Sequence, residues 1–301
     1  MSFASEAKAE LCRMKRTKKC CAVAEAYGVL LYCNSFTSRE IRIITGSESL
    51  VEMLPRLFKR AFGVNFDSLP EPPAHAGTRN TLLITDHDKI TEVFRAFGME
   101  PDDTLSLHIN LGVLENDCCK ASFVRGAFLA GGSMTDPGKR YHLELATTHA
   151  AVSRELCALL YEMGFEPGQS VRGASSLVYF KQSEAIADFL TTCGADVSAL
   201  EVMSSRVEKD MRNEINRKVN CDTANADKTV TAAQQQLAAI RRLESERGLD
   251  TLPEGLQQAA LLRIANPAAS LADLAALSVP AVTKSCLSHR LKRLVTLAAE
   301  K

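Results

Sequence analysis

The sequence predicts an α+β protein: a duplicated N-terminal domain, a helical connector and an all-helical C-terminal domain. Three observations support this fold class. Within the first 200 residues, sequence features recur at a constant offset of 98 positions. Residues 201–247 contain neither proline nor glycine, which favours helix. The last fifty residues combine helix-capping signals with a proline-containing turn.

The repeat begins with paired cysteines. Cys20-Cys21 ends seven residues before Gly28, and Cys118-Cys119 ends seven residues before Gly126. Each glycine lies in a strongly apolar helical segment, 24–36 in the first half and 122–134 in the second. These segments run into Asn34-Ser35 and Gly132-Ser133, which are residue types that favour turns.

Each apolar helix is followed by the same predicted order of strand, helix, strand and helix. The paired segments are 41–45 with 141–145, 50–64 with 151–165, 81–85 with 176–180, and 89–98 with 184–194. Pro70-Glu71-Pro72-Pro73 and Asp136-Pro137-Gly138 indicate turns between them. Five segment pairs in register predict a duplicated domain within residues 1–200, with repeats at about 15–98 and 113–196.

The connector, residues 201–248, is rich in alanine, glutamine and charged residues. Its polar stretch 216–228 contains asparagine and aspartate, which prefer caps and turns to helix interiors. We therefore expect a helix to about residue 219, a bend, and a second helix over 228–247. The stretch 220–225 is either a rigid joint or a docking site, and Arg212, Asn216, Arg217 and Asn220 are candidate phosphate contacts.

The C-terminal domain, residues 249–301, has the pattern of a helix-turn-helix. Ser270 and Asp273 form a predicted capping box that opens a short helix over 271–277. Pro280 interrupts the helical pattern, and a final helix is predicted from about 282 to 298. In a helix-turn-helix that binds DNA, the second helix enters the major groove and has a polar and basic outer face.

The final helix has one apolar and one polar face. Leu287, Leu291, Leu294 and Ala298 form the apolar stripe. The candidate DNA contacts lie on the other face or beside the stripe: Thr283, Lys284, Ser285, Ser288, His289, Arg290, Lys292 and Arg293. The early residues would contact bases, and the cations would contact phosphates. The alternative is a three-helix bundle whose basic face is merely solvated.

Composition excludes several other classes of protein. Hydrophobic residues make up 46%, charged residues 24%, and the net charge is zero, which excludes a collagen, a wholly disordered chain and a coiled-coil rod. No apolar stretch is long enough to span a membrane, and the basic N-terminus lacks the apolar core of a signal peptide. We therefore expect a cytoplasmic protein that has no membrane partner and no evident small-molecule ligand. If its final helix binds DNA, the protein is also expected to be nucleoid-associated.

The ten cysteines are expected to be reduced thiols in that compartment. No C-x-x-C pair is present, and no histidine follows a cysteine at zinc-finger spacing. The sequence therefore predicts no metal and no cofactor, with the cysteines serving as small buried side chains.

Segments 123–145, 216–237 and 270–294 together resemble the WhiA family of bacterial regulators, and the most specific part is Asn220-Cys-Asp-Thr-Ala-Asn225. This resemblance implies a degenerate LAGLIDADG homing-endonuclease-like domain followed by a sigma-factor-like helix-turn-helix. It also implies that the two apolar helices pack together at Gly28 and Gly126, where the absence of Cβ permits close approach.

The resemblance also locates the positions where a LAGLIDADG nuclease holds its metal-binding acids, two residues before each serine. Those positions are Cys33 and Gly131, and neither side chain can hold Mg²⁺. We therefore expect no nuclease activity. Asp136 is the nearest acid in the second half, and Glu25 lies about two helical turns upstream in the first.

The function implied is sequence-specific regulation of transcription in cell division, chromosome segregation or sporulation-type development. Double-stranded DNA is the predicted partner, and the family implies a WhiB-type iron–sulfur regulator or RNA polymerase as a protein partner. Two alternatives stay open. One is an adaptor of division or segregation that works mainly through protein contacts, and the other is a residual homing-type endonuclease.

Overall fold

A computed structural model of the chain describes residues 2–70, 79–101 and 106–300. The chain divides into two compact units, Met1–Lys209 and Asp210–Lys301. Among the described helices, none combines the length and apolar composition that a membrane crossing requires.

The first half of the N-terminal unit begins with a helix that the sequence analysis did not predict. This helix, α1 (Phe3–Arg13), is capped by Ser2 and buries Phe3, Ala7, Leu11 and Cys12. Five predicted elements follow with shifts of a few residues at their ends: α2 (Lys19–Leu31), β2 (Ile41–Thr45), α3 (Glu48–Phe62), β3 (Asn80–Ile84) and α4 (His87–Arg95). The short strand β1 (Ser35–Phe36) between α2 and β2 was not predicted, and Ser35, interpreted as a turn residue, pairs with Arg42 of β2.

Apart from α1 in the first half and β6 in the second, which have no counterpart among the described elements, the second half repeats this order and confirms the duplication. Its elements are α5 (Asp117–Gly131), β4 (Gly132–Met134), β5 (Leu143–Thr147), α6 (Ala150–Glu162), β6 (Gly168–Arg172), β7 (Ser175–Phe180) and α7 (Ser183–Cys193). The burial along β5 alternates, since Leu143 and Leu145 are fully buried and Glu144 between them is half-buried. Gly194, in the left-handed conformation, ends α7 at the end of the predicted helical segment 184–194.

The two halves build two antiparallel sheets, in the orders β1-β2-β3 and β4-β5-β7-β6. The interpretation of Gly132-Ser133 as a turn is wrong, because both residues pair with β5 as part of β4. Strand β6 was not predicted, because it is exposed and carries little apolar alternation. The turn over 136–138 is confirmed, whereas most of the predicted turn at 70–73 lies outside the described residues.

Helices α2 and α5 pack against each other at their glycines, as the resemblance implied. A Cβ atom on Gly28 would lie 2.1 Å from the carbonyl oxygen of Phe123. A Cβ atom on Gly126 would lie 2.0 Å from the carbonyl oxygen of Glu25. Both helices are buried on nearly all sides, which explains why their sequences are apolar around the whole circumference.

The connector is a single helix, α8 (Asp196–Arg247), so the bend predicted within 216–228 is wrong. Asparagine and aspartate cost a helix interior less than about 1 kcal/mol each, whereas proline, which this stretch lacks, costs about 3 kcal/mol. Thr229 also bonds within the helix, donating its hydroxyl to the carbonyl of Asn225 at 2.9 Å. The polar residues of this stretch are therefore accommodated within the helix.

The C-terminal unit contains three further helices, α9 (Glu254–Ala265), α10 (Leu271–Leu277) and α11 (Lys284–Ala299). Its core joins the end of α8 to these helices through Ile240, Leu243, Ala260, Leu274 and Leu291. This core is separate from the large core of the N-terminal unit.

The cysteines are more varied than the sequence predicted. All ten are free, and Cys12, Cys119, Cys157 and Cys193 are buried. Cys20 and Cys221 are exposed, and the other four are half-buried. Describing them all as small buried side chains is therefore wrong.

Candidate nucleic-acid interface

Helices α10 and α11 form the predicted helix-turn-helix, and the capping box of α10 is confirmed. The Ser270 hydroxyl accepts the Asp273 N–H at 3.3 Å, and the Asp273 carboxylate accepts the Ser270 N–H at 3.2 Å. In the turn, the Ser278 hydroxyl accepts the Val282 N–H at 3.0 Å. These side-chain bonds fix the path of the chain between the two helices.

The packing of α11 follows the predicted stripe. Leu287, Leu291, Leu294 and Ala298 are buried in the core of the unit. The polar face is directed outward: Thr283, Lys284, Ser285, His289, Lys292 and Arg293 are exposed, and Ser288 and Arg290 are half-buried. The five exposed residues within the helix follow the spacing i, i+1, i+5, i+8 and i+9 from Lys284, so they form one continuous surface, with Thr283 at its start.

Thr283 caps α11. Its hydroxyl accepts the Cys286 N–H at 3.2 Å, and its backbone is extended. Lys284 is consequently the first helical residue, two positions later than the sequence predicted. The first turn of α11 presents Lys284 and Ser285, and the partial positive charge of a helix N-terminus adds to that of the lysine.

Two of the candidate cations already have neighbours. Arg293 lies 3.6 Å from the carboxylate of Glu300 in an exposed ion pair. Such pairs contribute about 0–1 kcal/mol, so phosphate can replace the carboxylate at little cost. Arg290 lies across Gly255 of α9, where a Cβ atom would be 3.2 Å from its guanidinium carbon. Arg290 therefore has a packing role in addition to any contact with DNA.

Sequence reasoning missed Arg263, which is only 2% exposed. Its guanidinium donates to the carbonyl of Ala269 at 2.7 Å, immediately before the cap of α10. Burial lowers the pKa of this guanidinium from its ordinary value. An arginine beside an apolar stripe resembles a surface residue in sequence, and only the packed structure shows that it positions α10.

The candidate linker contacts lie on α8. Arg212, Asn216, Arg217 and Asn220 are all exposed. Asn225 donates to the Cys221 sulfur at 3.6 Å, so part of the 220–225 motif bonds along one helix face. The 220–225 motif is therefore part of an exposed helix surface. The rigid-joint interpretation assumed a bend at this motif, and α8 continues through it without one.

The positions that correspond to nuclease acids lie at the ends of α2 and α5. Burial raises the pKa of the Cys33 thiol to about 12, so it stays protonated at neutral pH. Gly131 has no room for a side chain, since a Cβ atom would lie 2.6 Å from the carbonyl oxygen of Ala146. Asp136 is exposed and accepts the Gly138 N–H at 2.8 Å within a turn.

Glu25, in the first half of α2, is fully buried and is bound by two arginines. Its carboxylate accepts bonds from Arg16 at 2.6 Å and from Arg125 at 3.0 Å. Arg125 also donates to the carbonyl of Cys193 at 3.1 Å. This carboxylate connects the loop after α1 with α5 and the end of α7, which is a structural arrangement.

The repeated apolar helices with their sheets, followed by the helix-turn-helix, define a protein with a LAGLIDADG-like domain and a helix-turn-helix domain. The family model described as the WhiA LAGLIDADG-like domain matches residues 120–212, and the WhiA C-terminal HTH domain matches residues 215–298. The chain belongs to the WhiA family, as its sequence motifs suggested.

Relatives match it over almost their whole length. A probable cell division protein WhiA from Ruminiclostridium cellulolyticum is 34% identical over 308 residues, covering 99% of this chain and 97% of the relative. Its counterpart from Carboxydothermus hydrogenoformans is 36% identical over 303 residues, with coverage of 99% and 97%. A crystal structure of full-length WhiA from Thermatoga maritima has a similar fold, with a TM-score of 0.61, 24% identity and coverage of 99% and 98%.

Proposed function

We propose that this protein is a sequence-specific DNA-binding regulator of transcription that acts in cell division and chromosome segregation or a related developmental programme. The observation that carries the proposal is the division of α11 into a buried leucine face and an exposed face with Lys284, Ser285, His289, Lys292 and Arg293. The names of its relatives as probable cell division proteins support the biological setting.

In this proposal α11 lies in the major groove. Ser285, Ser288 and His289 contact base edges, while Lys284, Arg290, Lys292 and Arg293 contact phosphates, with Thr283 at the entry of the helix. Arg212, Asn216, Arg217 and Asn220 are additional phosphate contacts from α8. A WhiB-type iron–sulfur regulator or RNA polymerase as a protein partner stays a prediction of the family resemblance.

The test compares two charge-matched double variants. Lys292→Ala with Arg293→Ala removes two proposed phosphate contacts, and Arg241→Ala with Arg242→Ala removes two exposed cations from α8. Full-length proteins are titrated at several salt concentrations with a duplex recovered from cells with the wild-type protein and with a duplex of scrambled sequence. We expect only the Lys292→Ala, Arg293→Ala variant to bind both duplexes more weakly than the wild-type protein. The slope of its log affinity against log salt concentration should be smaller by about two units.

Equal losses in both variants, or unchanged affinity in the first, would contradict the proposal. His289→Ala should instead reduce the preference for the recovered duplex over the scrambled one, because a base contact contributes about 1–3 kcal/mol of discrimination.

The proposal includes the absence of nuclease activity, supported by the protonated thiol at Cys33 and the lack of space at Gly131. Supercoiled plasmid incubated with the protein and Mg²⁺ or Mn²⁺ should stay uncut. Cleavage that is lost in an Asp136→Asn variant would contradict this part of the proposal.

An adaptor function is the second candidate, favoured by exposed apolar residues on α8. Met211, Ile215 and Val219 follow i, i+4 and i+8 and are 60%, 60% and 55% exposed. Cells that lack the protein can be complemented with the Lys292→Ala, Arg293→Ala variant. Normal division despite lost DNA binding would favour the adaptor, and failure to complement would favour the regulator.

A further inference from the structure

Four cysteine sulfurs meet where α2 and α5 begin. The sulfur atoms of Cys20, Cys21, Cys118 and Cys119 all lie within 4.8 Å of one another. Among the residues that the structure describes, this is the one group of three or more candidate ligands close enough to share a metal ion. It is unrelated to the helix-turn-helix surface and has no part in the proposed DNA contacts.

The duplication explains how the four thiols come together. The two pairs occupy equivalent positions, 98 residues apart, in the first turns of α2 and α5. Gly28 and Gly126 lie further along the same helices and allow their backbones to touch. Each half thus supplies two sulfurs from one side, and the contact between the helices completes a set of four.

The distances suit a single ion. In a tetrahedral zinc site with Zn–S bonds of about 2.3 Å, the sulfurs are about 3.8 Å apart. A separation within 4.8 Å needs only small side-chain rotations to reach that geometry. An iron–sulfur cluster distributes its thiolates over several iron atoms and therefore requires a wider arrangement.

Nearby positive charge offsets part of the cost of forming thiolates at these cysteines. Two helix N-termini place partial positive charge beside the sulfurs, and thiolates are the form that binds metal. The ammonium group of Lys18 lies 4.0 Å from the Cys118 sulfur, which adds a full positive charge. These groups partly offset the repulsion among four thiolates around a divalent cation.

The site is accessible from one side and closed on the other. Cys20 is exposed and Cys119 is buried. Both line a surface cavity of about 410 Å³, together with Val23, Asn116 and residues of the preceding loop. An ion can therefore enter from solvent, while four protein ligands leave no open coordination position, which is the mark of a structural site.

We propose that Cys20, Cys21, Cys118 and Cys119 bind one zinc ion that joins the first turns of the two central helices. This reverses the expectation from sequence that the chain holds no metal. That expectation assumed ligand pairs of the C-x-x-C type, but paired helices place adjacent cysteines equally well. On binding, zinc displaces the thiol protons.

The test uses the full-length protein purified under reducing conditions and dialysed against zinc. Elemental analysis should find about one zinc per chain. Replacement by Co²⁺ should give the intense thiolate-to-cobalt absorption and visible bands of a tetrahedral sulfur site. Cys20→Ser, which alters an exposed residue, should lower zinc affinity at least tenfold, whereas Cys221→Ser, also exposed, should leave it unchanged.

Removing zinc from the wild-type protein with a chelator tests the proposed site without any substitution, so the result does not depend on whether a variant folds. Thermal stability of the N-terminal unit should fall, and added zinc should restore it. Three results would overturn the proposal: no zinc bound after dialysis, equal affinity in the two serine variants, or an intact mass that shows disulfides in freshly reduced protein.

Discussion

At the scale of single residues, the buried carboxylate of Glu25 shows how a charged side chain serves the fold. It is fully buried, and its partners Arg16 and Arg125 are only 10% and 9% exposed at their side chains. Removal of one member of such a group leaves the others charged, buried and incompletely paired. The sequence analysis noted this acid only as lying about two helical turns upstream of Cys33, and the structure shows that its carboxylate binds arginines from the loop after α1 and from α5.

The Glu25→Gln variant should therefore lower the free energy of unfolding of the N-terminal unit by about 3–5 kcal/mol. Urea unfolding monitored by circular dichroism measures the change. The control is Glu184→Gln, which removes the exposed ion pair with Arg206 and should cost about 1 kcal/mol or less. Equal effects of the two substitutions would show that burial of the Glu25 network has no special role.

At the scale of elements, caps and turns determine where α11 begins and hence which residues can reach DNA. The sequence predicted the capping box of α10 and the apolar stripe of α11, because both depend on residues three or four positions apart. It located the start of α11 two residues early, because Thr283 acts as the cap. It also predicted a bend in α8 that is absent.

The cap of α11 can be tested with two threonines of the same helix. Thr283→Ala removes the bond to the Cys286 N–H and should lower the free energy of unfolding of the C-terminal unit by about 1 kcal/mol. Thr296→Ala removes the hydrogen bond from the Thr296 hydroxyl to the carbonyl of Lys292, within α11. It should change the free energy of unfolding by about 0.5 kcal/mol or less.

Urea titration of both variants provides the comparison, and Thr283→Ser should restore wild-type stability because serine caps equally well. A loss of stability in Thr296→Ala as large as that in Thr283→Ala would contradict a specific capping role.

At the scale of the whole molecule, the described residues form two separate hydrophobic cores, and the chain divides into two compact units. Each core should respond to its own mutations. Gly28→Ala would place a Cβ atom 2.1 Å from a backbone oxygen of α5, a clash that should cost at least about 1–3 kcal/mol. Leu291→Ala should leave a cavity in the other core at a cost of about 2–5 kcal/mol.

Hydrogen exchange measured peptide by peptide distinguishes the two units. We expect Gly28→Ala to accelerate exchange within residues 2–209 alone, and Leu291→Ala within residues 210–300 alone. Each variant is the control for the other. Faster exchange across the whole chain in either variant would show that the units unfold together.

The duplication, the fold class, the capped helix-turn-helix and the polarity of α11 were determined by the sequence itself. These features rest on local periodicity, capping signals and a constant offset between halves, all of which are readable along the chain. Only the tertiary structure decided that Arg263 is buried, that Glu25 binds two arginines, and that the sulfurs of four cysteines from two distant segments lie within 4.8 Å of one another. The reason is physical: such groups are defined by how helices pack, and local periodicity and capping signals do not report which side chains that packing brings within bonding distance.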